Sequence, residues 1–267
     1  MARRPRQPGT PPTRSGAPSP PAPPRFGDRR RMRIGLLGGS FNPAHPGHRH
    51  VAEFARRRLR LDAVWLLVSP GNVLKPRAGM APFADRLAGA RALGDGRRLL
   101  ASGIEAAWRT RYSIDTIRRL RIRFPRARFV WIAGADILEQ LPRWRRWEAF
   151  VRDVPILVMP RASYNLRALA GRAARRWRPA RRPARFAPIL ADAAPPAWIF
   201  LPAPQHPASA SAIRAARKGA VPSPSRPPPP AHARPAPAPR ASARRRAKCR
   251  ARCRRRTNRP ARRARRR

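Results

Sequence analysis

At 267 residues the chain has room for one large domain or two small ones, and seven tryptophans with nine phenylalanines suffice to build a core. A net charge of +50, carried almost wholly by arginine, favours anionic partners such as nucleotides, nucleic acid or acidic membranes, although a chain dominated by Ala, Arg and Pro is also what GC-rich coding produces. The two cysteines, Cys249 and Cys253, are too few for a disulfide framework and lack the further ligands of a zinc site, which excludes the disulfide-stapled secreted class.

Residues 1–31 are rich in Pro, Arg, Gly and Ser with Asp28 as the lone acid, and are expected to be a disordered extension. Met32 stands directly before the first strand, so a translation start there would give a chain that begins at its fold. From 32 to 218 apolar runs alternate with helical spacing. Ile34-Gly35-Leu36-Leu37 reads as a buried strand, followed by the loop Gly38 to His48 and by helical spacing from Val51 to Ala55. Ala63 to Val68 is a second strand, reached through a helix of βαβ length, which predicts parallel pairing. A Pro- and Gly-containing loop runs from Ser69 to Pro76, and a helix runs from about Pro82 to Ala92. Arg98 to Ser102 is a short strand. Ser113 opens a helix as its cap, with Ile114, Ile117 and Leu120 on one face. Arg128 to Ala133 is the fourth strand, ending in the small turn Gly134-Ala135-Asp136, and Pro155 to Met159 and Trp198 to Leu201 supply two more. Leu166 to Pro196 reads as helix and then irregular chain. Residues 219–267 hold Pro, Ala, Ser and Arg without an acid and are expected to be a disordered basic tail; with no aromatic residue to stack on bases, the tail reads as a solvated extension. The expected fold is therefore α/β, a Rossmann-like open, mostly parallel sheet with helices on both faces, flanked by disordered basic tails. Such sheets bind ligands at the carboxyl ends of their strands, where every loop named here falls. With no apolar run near the roughly 18 residues that cross a bilayer, and no secretory signal, the expected location is the cytoplasm.

The loop after the first strand carries the chemistry. Gly38 and Gly39 allow close backbone approach to a ligand, and Gly47 opens a helix whose N–H groups and dipole attract anions, with His45 and His48 as ring donors beside them. A metal site is disfavoured, since His48 and His50 lie two apart on the helix and face different ways. Taken whole, Gly38-Gly39-Ser40-Phe41-Asn42-Pro43-Ala44-His45-Pro46-Gly47-His48 resembles the GxFxPxHxGH signature of the HxGH nucleotidyltransferases, with Asn42 where many members carry Asp. His206 to Arg214 resembles the same superfamily's S-S-T-x-I-R segment, Ala210 and Ser211 replacing the commoner Ser and Thr.

Two more segments narrow the resemblance to nicotinate-nucleotide adenylyltransferase: Thr110 to Thr116, and Trp131 to Asp136 with Trp144 shortly after. It implies adenylyl transfer from ATP to nicotinate mononucleotide in NAD biosynthesis, with His45, His48 and Arg214 as catalytic groups. It implies ATP contacts at Gly38, Gly39, Ser40, Phe41, Gly134, Asp136, Ser209 and Ser211. It also implies acceptor contacts at Lys75, Arg86, Tyr112, Ser113 and Trp144, with Trp144 stacking on the nicotinate ring. Leu74 stands where many members have His. Magnesium would arrive with ATP and needs no dedicated protein ligands. The partners implied are the two small-molecule substrates, with no membrane and with any nucleic-acid contact confined to the tails. Two other readings stand beside this one: another adenylyl- or cytidylyltransferase of the superfamily, such as one acting on phosphopantetheine, and a basic nucleic-acid-binding protein.

Overall fold

A computed structural model describes residues 23–24, 27–71, 78–161 and 165–219. Six strands form one parallel sheet: β1 (Arg33–Gly39), β2 (Ala63–Val68), β3 (Leu99–Ser102), β4 (Arg128–Gly134), β5 (Ile156–Met159) and β6 (Trp198–Phe200). Their spatial order is β3-β2-β1-β4-β5-β6, the doubly wound Rossmann-like arrangement. All pairs are parallel, so the expectation of a mostly parallel sheet is met by a wholly parallel one.

The strands read as continuous apolar runs because both faces of the sheet are covered. Along β2, Ala63, Trp65 and Leu67 enter one core while Val64, Leu66 and Val68 enter the other, and β4 divides in the same way between Phe129 and Trp131 on one side and Val130 and Ile132 on the other. In chain order the helices are α1 (Pro46–Arg58), α2 (Phe83–Leu93), α3 (Ile104–Trp108), α4 (Ser113–Arg123), α5 (Asp136–Gln140), α6 (Trp147–Asp153), α7 (Asn165–Ala170), α8 (Arg172–Arg176) and α9 (Ala210–Gly219). Helices α4, α5 and α6 close the first core with Ile114, Ile117, Leu120, Ile137, Leu138, Phe150 and Val151. The second is closed by Ala52 and Ala55 of α1, Ala90 of α2, and Ala187, Leu190 and Ala191 of a 3-10 stretch, Ala184–Asp192.

The six strands fall where the apolar runs place them. Three short helices, α3, α5 and α6, and the 3-10 stretch are additions that the runs did not indicate. One local expectation is corrected: Tyr112, with φ −119° and ψ 140°, occupies the N-cap of α4, and Ser113 is its first helical residue. The strand order reverses between β1 and β4, so the loops leaving these two strands flank the crevice at the switch point. Among the described residues no helix is long and apolar enough to cross a membrane.

Candidate active site

The turn after β1 is built to present the first turn of α1. Phe41 takes φ 48°, and its buried ring lies 4.8 Å from the ring of His48. His45 is the N-cap, Pro46 follows it, and no acidic residue enters the first turn, so nothing on the helix itself offsets the positive end of the dipole. The two imidazoles are in contact at 3.8 Å between centroids. His45 N–H donates to His48 Nδ1 (3.3 Å), and His48 N–H donates to the His45 carbonyl (2.9 Å). Because Nδ1 of a neutral His48 is thereby an acceptor, its Nε2 carries the ring proton.

Helix α9 meets this turn from 172 residues away. Arg214 donates through Nη1 to the Asn42 carbonyl at 2.6 Å and through Nη2 to Ser211 Oγ at 3.2 Å. Ser209 caps the helix, its Oγ accepting from Ala212 N–H at 3.1 Å. His50 Nε2 lies 3.0 Å from the Pro204 carbonyl and its ring 5.8 Å from that of His206, which fastens the β6–α9 connection along α1. Gly47 is required by this closeness, since a Cβ there would sit 2.9 Å from the His45 ring and 3.0 Å from the Ala208 carbonyl. His45 therefore titrates below the usual imidazole range, first because it is partly buried and then because His206 and Arg161 bring positive charge to it.

The remaining sequence-derived candidates divide. Gly38 owes its missing side chain to packing, because a Cβ there would meet the Trp131 indole at 2.7 Å, while Gly39 lies against Phe41. At the end of β4, Gly134 makes room for Asp136, whose carboxylate is paired with Arg161 (3.2 Å) and accepts from Gln140 (3.0 Å). Tyr112 and Trp144 share one edge: Arg145, next in the chain to Trp144, lies 4.8 Å over the Tyr112 ring, and Trp144 rests edge-on against Trp131 at 6.1 Å. Ser113 stands beside Tyr112, partly exposed at the start of α4. Lys75 lies outside the described residues.

Arg86 departs from its expected part as an acceptor contact. It is 3% exposed, and its guanidinium donates to four carbonyls: Ser69 (2.7 Å), Ser40 (2.8 Å), Ala81 (2.9 Å) and Pro70 (3.3 Å). The side chain joins the loops that leave β1 and β2, and so holds the imidazole-bearing turn in place. Arg86→Lys keeps the charge but loses the fork, and is expected to cost about 1–3 kcal/mol in thermal or urea unfolding, since an ammonium leaves some of these carbonyls without a donor.

Two arginines at the site, Arg145 and Arg161, were not singled out from sequence. Among the described residues no group of His, Cys, Asp or Glu is placed to hold a metal ion, and Asp136 is already paired; a divalent ion here would take its oxygens from a polyphosphate and water.

The sequence family described as Cytidylyltransferase-like matches residues 36–216. The probable nicotinate-nucleotide adenylyltransferase of Gluconacetobacter diazotrophicus is 58% identical over 193 residues, covering 71% of this chain and 88% of that relative. Its counterpart in Gluconobacter oxydans is 54% identical over 183 residues, covering 68% and 94%. In fold, the chain is similar to a Plasmodium falciparum nicotinic acid mononucleotide adenylyltransferase complexed with NaAD, with a TM-score of 0.52, 14% identity, and coverage of 69% of this chain and 83% of that one.

Proposed function

The chain belongs to the nicotinate-nucleotide adenylyltransferase family, and on that basis we propose that it transfers the adenylyl group of ATP to nicotinate mononucleotide, releasing pyrophosphate. The observation that carries the reading is the bond from Arg214 to the Asn42 carbonyl, which brings a guanidinium to the turn that carries a helix N-terminus and two imidazoles. The triphosphate lies on the first turn of α1, with Arg214 and Ser211 closing over it. A 5'-phosphate oxygen of the acceptor attacks the α-phosphorus in line as the bond from that phosphorus to the α,β-bridging oxygen of ATP breaks, and this oxygen leaves with pyrophosphate. That nucleophile is already ionised near neutral pH, so the protein supplies position and neutralisation in place of a general base. Magnesium bound to the phosphates adds charge neutralisation. Trp144 and Tyr112 receive the pyridine end of the acceptor, Asp136 the ribose of ATP, and Arg86 acts from behind by fixing the loops.

Pyrophosphate release with ATP and magnesium, measured separately with nicotinate mononucleotide, nicotinamide mononucleotide and phosphopantetheine, tests this. Turnover is expected with the first, and turnover of phosphopantetheine alone would overturn the reading. A second expectation follows from His45. Burial and then two cationic neighbours hold its titration low, and phosphate charge opposes those neighbours, so ATP binding at mildly acidic pH should take up protons. Binding heats in buffers of different ionisation enthalpy should show this uptake, and it should vanish in His45→Gln.

A further inference from the structure

Below the acceptor edge lies a carboxyl for which the transfer step has no use. Glu105 of α3 is 8% exposed, and among the described residues no cation lies within ion-pair distance of it. Its Oε1 is 3.2 Å from the hydroxyl of Thr116, which is itself fully buried in α4. That hydroxyl is also 2.9 Å from Thr110 Oγ1 and 3.5 Å from the Tyr112 carbonyl. Thr110 closes the circuit, donating its N–H to the Glu105 carbonyl at 3.0 Å, with its Oγ1 3.5 Å from the same oxygen. One hydroxyl proton cannot serve all three of Thr116's neighbours, so the Thr110 hydroxyl or a protonated carboxyl must donate to it as well. The segment between α3 and α4 is thus tied to Glu105 through main chain and side chain together.

We propose that Glu105 is a positioning residue for the acceptor: acting through Thr116 and Thr110, its carboxyl sets the placement of Tyr112 and Ser113 where the mononucleotide docks. This rests on the reading that Tyr112 and Ser113 meet the acceptor. A buried polar chain is a costly way to shape a loop, and its return is a single well-defined conformation at the tip. Ångström-scale misplacement there is enough to weaken productive binding, while the ATP contacts, which belong to the β1–α1 turn and α9, stay where they are.

The test is steady-state kinetics of the full chain with Glu105→Leu, Thr116→Val and Glu105→Gln, each checked for folding by its melting curve. Glu105→Leu and Thr116→Val are expected to raise KM for the acceptor about tenfold while moving kcat and KM for ATP by less than about threefold. The double variant should add little to either, because both break one chain. Glu105→Gln keeps a hydrogen-bonding partner for Thr116 and should bring the acceptor KM back to within about twofold of the wild type. Equal losses toward ATP and acceptor, or failure of Gln to rescue, would overturn the proposal and leave Glu105 a packing residue. The wild type reports on the underlying reading by itself: if it turns over a different acceptor, the KM for that acceptor becomes the measure, and if it turns over none, both ideas fall together.

Discussion

His48→Ala is expected to lower kcat for adenylyl transfer by roughly two to three orders of magnitude, about 3–4 kcal/mol of barrier, with a smaller change in KM for either substrate. The size follows from what the ring is asked to do. Its Nδ1 is occupied by the His45 N–H, so under the proposed mechanism the Nε2 proton is the one offered to a phosphate oxygen, and contacts with the Phe41 and His45 rings keep the ring from turning away. A donor held this firmly is worth most where charge builds up during the reaction. Alanine also removes the acceptor of the His45 N–H, so a structural explanation has to be separated out. Gln at the third position of a helix can reach back to the N-cap N–H, hence His48→Gln should melt close to the wild type yet turn over as poorly as the alanine variant. Because the two imidazoles touch, a His45 and His48 double replacement should cost less than the product of the single effects. Undiminished kcat in His48→Gln would remove the ring from the mechanism.

What could be seen in the sequence had strong local causes. Strands buried on both faces are uninterrupted apolar runs, and β1, β2, β4 and β5 could be placed for that reason. The turn from Gly38 to His48 and the segment around Ser211 were legible as motifs, and the fold sets them together through Arg214 and Asn42. The short helices α3, α5 and α6 were not legible, since five to seven residues give hardly two turns of periodicity. Arg86 shows a different limit: whether a guanidinium meets a phosphate or four carbonyls depends on what the fold lays beside it, and residue type is silent on that. Arg145 and Arg161 were hidden by number, because among 62 lysines and arginines one more carries no signal. Glu105 had the opposite advantage. It is one of only twelve acids and sits in the apolar stretch Gly103-Ile104-Glu105-Ala106-Ala107-Trp108, a placement odd enough to single it out, yet it was passed over.

That oddity has a consequence for stability. Glu105→Gln is expected to leave the protein about as stable as the wild type near pH 4.5 and to make it progressively more stable as pH rises, by roughly 3 kcal/mol well above pH 7. Burial pushes the Glu105 carboxyl up to about 7 from its ordinary 4.5, against the smaller opposing effect of the Thr116 hydrogen bond. A raised carboxyl means that the folded chain holds this proton more tightly than the unfolded one. The stabilisation is complete below about 4.5, where both states are neutral, and is lost as pH climbs through about 7, where the folded state must carry a buried charge. Glutamine has no proton to lose, so only the wild type declines over that interval. The hydrogen-bond chain does not cause the decline, because Thr116 can accept from a neutral carboxyl or donate to an ionised one; what changes is the loss of water around the charge. Urea unfolding of both proteins from pH 4.5 to 8.5, compared at each pH, isolates this one group, since every other titration is common to the pair. A difference that stays constant with pH would show that Glu105 keeps an ordinary carboxyl in the folded chain, whereas a difference that opens between 4.5 and 7 would mean that the fold accepts a stability cost at neutral pH to keep a carboxyl beneath Tyr112.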